Sequence, residues 1–319
     1  MDLFTHAVVA ALLYGTFGGD VMSEYYLFGI LFAILPDFDL FLTPLKKIFK
    51  ADYLEHRGGS HSYIIGLGVA LIGSIIFSVV FSKSFFLTWI LGSLFYGLHI
   101  SMDLLTTTLI PIFYPISKKE YSFYVEKAGS MFTMVSSVII ASIGFIVYQF
   151  TSIDLFRLYN GISLLLFIGY YGYRSILRRK ITSKLVDTQK YFPGVLPHHY
   201  YVYNFHLSDK NIELNLEKGT RSSSRLIYLE EKWDFTPQEM KFYEEALHRC
   251  NDDYYRKKWT KIPKIVRDGD SFQIRFSFLE TMMNGRSMAR IYHFNLKTEK
   301  LFKISQNYER IYSKPSTSL

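Results

Sequence analysis

The chain has 319 residues, 49% of them hydrophobic and 18% aromatic, with a formal charge of +8 and one cysteine, Cys250. One cysteine excludes an intrachain disulfide framework and a cysteine-based zinc site. No compact Arg/Lys stripe with interleaved aromatics is evident, so there is no strong nucleic-acid signal, and the positive charge is assigned to anionic lipid headgroups.

Apolar residues crowd into the first 175 positions. That distribution predicts an α-helical polytopic membrane domain over 1–184, with four to six transmembrane helices, followed by a small β-rich α+β soluble domain over 185–319. The opening "MDLFTHAVVA" carries Asp2 and His6 where a cleavable signal carries positive charge, so it is expected to be retained. Two short apolar stretches follow, about 7–17 and 25–36, of marginal spanning length. Four longer ones come next, at 63–82, about 85–105, 131–150 and about 155–173. The first and third of these hold no charge over 20 residues, and at about 1.5 Å per residue they match a hydrocarbon core of roughly 30 Å.

"RSILRRKITSK" (174–184) is densely basic, and the positive-inside rule places it in the cytoplasm. Alternation backward from there agrees with every basic loop except the turn holding Lys83. With six crossings, both termini are expected to be cytoplasmic. His6, "LPDFD" (35–39), "HRGGSHS" (56–62) and the His99–Asp103 helix end then converge on the cytoplasmic face.

In the tail, 199–207, 211–219, 224–233, 271–280, 289–297 and 299–307 read as strands, rich in β-branched and aromatic residues. "YFPGVLPHHYY" (191–201) reads as a Pro/Gly hinge. The stretch 236–259 opens as a helix N-terminus, on Thr236-Pro237 with Glu239 at capping-box spacing. His198 and His199 would point to opposite faces of a strand. His206, His248 and His293 show no acidic partner at a useful spacing, and Cys250 reads as a bystander in a polar helix.

Three motifs can carry chemistry. His99 and Asp103 at i and i+4 share one helix face, and a carboxylate in an apolar run is costly unless it pairs or coordinates. Asp37 and Asp39, just past Pro36, can both face a cation or serve as turn and cap residues. "HRGGSHS" offers His56 and His61 as imidazole donors and Arg57 as an anion clamp; its glycines shape a turn, and Ser60 and Ser62 are helix-capping or ligand-bonding hydroxyls. His6 begins the first apolar stretch. Nitrogen and oxygen donors without sulfur suit Zn²⁺, Mn²⁺ or Fe²⁺, as one ion or as two bridged by a carboxylate.

"TH" near the start, "LPDFD", "HRGGSHS" and "HISMDLLTT", in that order, resemble the YdjM-like family of membrane-bound metal-dependent hydrolases over about residues 1–175. The resemblance implies metal-site roles for His6, Asp37, Asp39, His56, His61, His99 and Asp103, with Arg57, Ser62 and Thr106 accessory; Ser60 is counted with the accessory residues. The order is also similar, more loosely, to the zinc-dependent phospholipase C and nuclease group. Ser60 stands where the family usually has threonine, and no glycine follows the HxxxDxxT motif. The tail lies outside the signature.

The resulting expectation is a hydrolase acting on a phosphoester or lipid-derived ester through a metal-activated water. Arg57, His56 and Asp39 would grip the anion or move protons. The alternative is a non-enzymatic metal-binding membrane protein: an ion carrier, or an anchor that presents the tail to a cytosolic partner. An intramembrane metalloprotease is disfavoured by the absence of HExxH.

Overall fold

The computed structural model describes residues 1–18, 24–42, 57–208, 210–221 and 225–311. It divides into two compact units, Met1–Ile176 and Leu177–Leu319.

Unit 1 is helical. Helix α1 spans Leu3–Phe17 and α2 spans Glu24–Ile34, continuing into a 3-10 segment at Leu35–Leu42. A short 3-10 turn, Gly59–His61, leads into α3 (Tyr63–Phe81). Helices α4 (Phe85–Leu104), α5 (Met131–Phe150) and α6 (Ile153–Thr182) follow. Among the described residues, α3, α4, α5 and α6 are long and apolar enough to cross a membrane. At about 1.5 Å per residue, α1 and α2 reach only about 20 Å, less than the hydrocarbon core.

Hydroxyl and carboxylate caps begin α1, α3 and α4. Asp2 accepts from Thr5 N at 2.9 Å to start α1, and Ser62 accepts from Ile64 N at 3.2 Å to start α3. Such caps satisfy backbone N–H groups that a bilayer cannot. Small residues let the helices approach closely. A Cβ at Gly66 on α3 would lie 2.4 Å from the Tyr96 ring of α4, and one at Gly29 on α2 would lie 2.8 Å from Phe95. Lys83, the exception to the charge pattern, pairs with Glu24 at 3.0 Å.

At the end of unit 1 where α5 begins, a second buried polar group ties the loop before α5 to α6. Arg174 Nε is 3.2 Å from Glu126 Oε2, with both side chains fully buried, and the Tyr170 hydroxyl donates to the same carboxylate. Arg174→Leu is expected to destabilise the protein by roughly 3–5 kcal/mol, because it leaves a buried carboxylate without its countercharge. Thermal unfolding in detergent checks this. The double variant Arg174→Leu/Glu126→Leu should recover most of the loss.

Unit 2 contains two antiparallel four-stranded sheets, ordered β1-β2-β3-β4 and β5-β6-β7-β8. The first holds β1 (Gln189–Pro193), β2 (His199–Leu207), β3 (Asn211–Thr220) and β4 (Leu226–Asp234). The second holds β5 (Lys261–Asp268), β6 (Ser271–Phe278), β7 (Arg286–Asn295) and β8 (Lys300–Arg310). Helix α7 (Pro237–Asn251) packs Phe242, Tyr243 and Ala246 into a core with Phe272, Ile274, Phe276, Tyr292 and Phe294.

The structure corrects and extends the expectations for the tail. The expected hinge supplies strand β1, and the unanticipated β5 completes the second sheet. Each holds a proline, Pro193 or Pro263, and each is an edge strand, where a missing N–H breaks no inner ladder. The helix expected to open at Thr236 is α7, and a short α8 (Tyr254–Lys258) follows it. His248 has an acidic partner after all, Asp252 at 3.7 Å, but both side chains are largely solvent-exposed. Cys250 is fully buried, and burial pushes its thiol pKa up, so it is an inert core residue.

The capping box at Thr236 and Glu239 is present. Burial pushes the Glu239 carboxyl up, but bonds from Arg267 and Thr236 outweigh it and hold it below the usual range. A depressed folded-state pKa contributes stability above the unfolded value, and that stability is lost as pH falls through the folded value. Protection of the α7 amides against hydrogen exchange is therefore expected to drop as pH falls below about 4. Thr236→Ala is expected to cost about 1 kcal/mol of the same protection at neutral pH.

Candidate metal centre

The polar motifs of unit 1 meet at one end of its helices. His6 lies in the first turn of α1, Asp37 and Asp39 on the 3-10 segment after α2, His61 just before α3, and His99 and Asp103 in the last turns of α4. His6, His61, His99 and Asp103 are each no more than 1% exposed. Donor atoms of Asp37, His61, His99 and Asp103 all lie within 4.8 Å of one another.

Hydrogen bonding fixes how the two central imidazoles present themselves. His99 Nδ1 is 2.7 Å from the Ala33 carbonyl oxygen. Only an N–H satisfies that acceptor, so Nδ1 carries the proton and Nε2 presents a lone pair. The Ser60 hydroxyl donates to Asp39 Oδ2, so its oxygen accepts from His61 Nδ1–H at 3.0 Å. In the neutral form of both rings, His61 Nε2 presents a lone pair as well. The two Nε2 atoms face each other at 3.2 Å. Two acceptors do not attract at that distance, so the arrangement calls for a positive charge between them.

The carboxylates flank this pair. Asp37 Oδ1 is 3.6 Å from His61 Nε2 and 3.7 Å from His99 Nε2. Asp103 Oδ2 is 3.3 Å from His61 Nε2 and 4.0 Å from His99 Nε2. Bonds of about 2.0–2.1 Å to a tetrahedral ion separate its ligands by about 3.3 Å. The observed spacings match a slightly expanded cage of that size. Its two nitrogen and two oxygen donors suit a first-row divalent ion.

The remaining residues surround that group. His6 stacks on His99 with ring centroids 3.7 Å apart, and its Nε2 is 3.3 Å from Asp103 Oδ1. His6 Nδ1 is buried without a hydrogen-bond partner among the described residues. Asp39 lies on the Nδ1 side of His61, at 3.3 Å, rather than on the Nε2 side. Its Oδ2 also accepts from Arg57 N at 3.0 Å. That is the arrangement of a carboxylate that orients a ligating imidazole.

Arg57 adopts φ 60. This left-handed conformation costs a non-glycine residue about 1–2 kcal/mol and turns its backbone N–H toward Asp39. Its guanidinium reaches Asp103 Oδ2 at 3.3 Å, Thr108 Oγ1 at 2.6 Å and the Met1 carbonyl at 2.9 Å. The Met1 amino group also lies against Asp103.

Ser62, which caps α3, donates to the Ile112 and Tyr114 carbonyls. Thr106 donates to the Asp103 carbonyl at 2.8 Å. The expected role of His56 lies outside the described residues. Sequence reasoning missed Thr108, Tyr96 and the Ala33 carbonyl. Tyr96 donates to the Ser60 carbonyl at 2.8 Å. No spacing marks these partners, because they arrive from separate segments.

A family model described as YdjM inner membrane protein matches residues 1–181. The match covers more than half of the chain, so the protein belongs to that family and is a membrane protein. No curated protein and no solved structure matches the chain.

Proposed function

We propose that this member of the YdjM inner membrane protein family is a metal-dependent hydrolase that cleaves a phosphoester or lipid-derived ester at the membrane surface. The observation that carries this reading is the facing of His61 Nε2 and His99 Nε2, 3.2 Å apart and flanked by Asp37 and Asp103. A zinc ion held there, or manganese or iron in its place, would polarise the ester and acidify an attacking water. The other roles fall to the chain itself. Asp39 and Ser60 keep the proton on His61 Nδ1. Arg57 offsets the charge of Asp103 and stands next to any anionic group that enters. His56, five residues before His61, is the candidate for moving the reacting proton.

The basic segment 174–184 supports placing this face on the cytoplasmic side, with unit 2 in the cytosol for a partner of its own. A carrier needs polar groups deep in the membrane, whereas these donors come from helix ends, which favours the enzyme.

The test is a hydrolysis screen on detergent-purified protein loaded with zinc or manganese. Turnover of p-nitrophenyl phosphate or a phospholipid is expected, lost with a chelator and with His61→Ala. Bound metal without turnover of any phosphoester or carboxyl ester would replace this reading with a carrier or anchor.

A further inference from the structure

We propose that the loop joining α4 to α5 is a lipid-inserting arm that seats the metal-centre end of the bundle in the headgroups of an anionic leaflet. The arm is built rather than loose. Ile110 and Tyr121 exchange backbone hydrogen bonds of 3.0 and 2.9 Å, closing the segment between them. Its base is fastened to the wall of the centre: Tyr63 N donates to the Ile112 carbonyl at 3.1 Å, Ser62 donates to Ile112 and Tyr114, and Thr108 holds Arg57.

Beyond that base the apolar side chains turn outward. Ile116 is 85% exposed and Phe113 46%, and at the base Phe123 is 48% exposed. A loop bathed in water has no physical reason to display its largest apolar groups while Ile110 and Ile112 behind them are buried. Lys118 and Lys119 are exposed in the same arm, and Lys119 Nζ sits 5.4 Å from the Tyr121 ring. Apolar side chains that enter the acyl boundary, beside lysines that reach back to phosphate, are the chemistry of an interfacial anchor for anionic lipid.

A second segment repeats the pattern around the centre. Phe38, between Asp37 and Asp39, is 41% exposed, and Phe41 is 74% exposed. Phe38 and Phe41, three apart on this 3-10 segment, share the face that turns outward. The arm also joins the ends of two candidate spans, Phe85–Leu104 and Met131–Phe150, so it leaves the bundle at the depth where headgroups begin. The inference does not depend on whether the centre turns over an ester, because it concerns only where this end of the protein sits.

The test attaches an environment-sensitive fluorophore to Ile116→Cys in the full-length protein. Cys250 is fully buried and should stay unlabelled, which the unsubstituted protein controls. The protein is placed in nanodiscs of phosphatidylcholine, alone or with phosphatidylglycerol. The expected result is blue-shifted emission, severalfold stronger quenching by spin-labelled lipid than by aqueous iodide, and deeper insertion when phosphatidylglycerol is present. Lys118→Glu with Lys119→Glu should remove that lipid dependence. Quenching by iodide alone would make the arm a solvated loop, and protection from both quenchers would mean that protein covers it; either result overturns the proposal.

Discussion

Replacing His61 with alanine is expected to abolish high-affinity binding of a divalent ion. His61 Nε2 is the atom the other donors share, at 3.2 Å from His99 Nε2, 3.3 Å from Asp103 Oδ2 and 3.6 Å from Asp37 Oδ1. Loss of a group that only orients a ligand already weakens metal binding by about 10–100-fold, and loss of a ligand should exceed that. Stability gives a readout independent of catalysis. An ion at 100 times its dissociation constant adds about 2.7 kcal/mol to the native state. Wild-type protein in detergent should therefore unfold several degrees higher with zinc than with a chelator, and His61→Ala should show no difference. An equal zinc-dependent gain in both proteins would remove His61 from the centre.

The sequence brought the donors of this cluster together because they obey local rules. His99 and Asp103 share a helix face by i, i+4 spacing, and alternation of charged loops brought four separate segments to one end. Roles within each segment were not legible. Asp37 and Asp39 looked equivalent as two carboxylates in a turn. They sit instead on a 3-10 segment, where each residue advances by about 120°. Residues two apart therefore point in different directions, and only Asp37 joins the four-donor group. The special conformation of "HRGGSHS" falls on Arg57 rather than on a glycine, a tertiary effect of its contacts with Asp39, Asp103 and Thr108. In unit 2 the inner strands were visible from their composition. Edge strand β1 was hidden because its proline was read as part of a hinge, and an edge tolerates proline; β5, also an edge strand with a proline, was not identified.

That separation of the two aspartates gives the second large effect. Asp39→Asn is expected to lower metal affinity by about 10–100-fold while leaving the coordination sphere unchanged. Asp39 Oδ2 gathers Arg57 N–H and Ser60 O–H and lies 3.3 Å from His61 Nδ1. A neutral amide oxygen can still accept these bonds. What it cannot do is hold the Nδ1 proton with a charge and so raise the donor strength of Nε2. Asp37→Asn, by contrast, removes an anionic oxygen from the donor group itself. Cobalt substitution distinguishes the two, because the visible bands of Co²⁺ report the ligand set and its geometry. The Asp39→Asn protein, saturated with cobalt, should reproduce the wild-type spectrum at a higher half-saturation concentration. The Asp37→Asn spectrum should shift in position and intensity. A shift of the same size in both variants would make Asp39 a ligand and give the centre a fifth donor, as a site built for two ions would require.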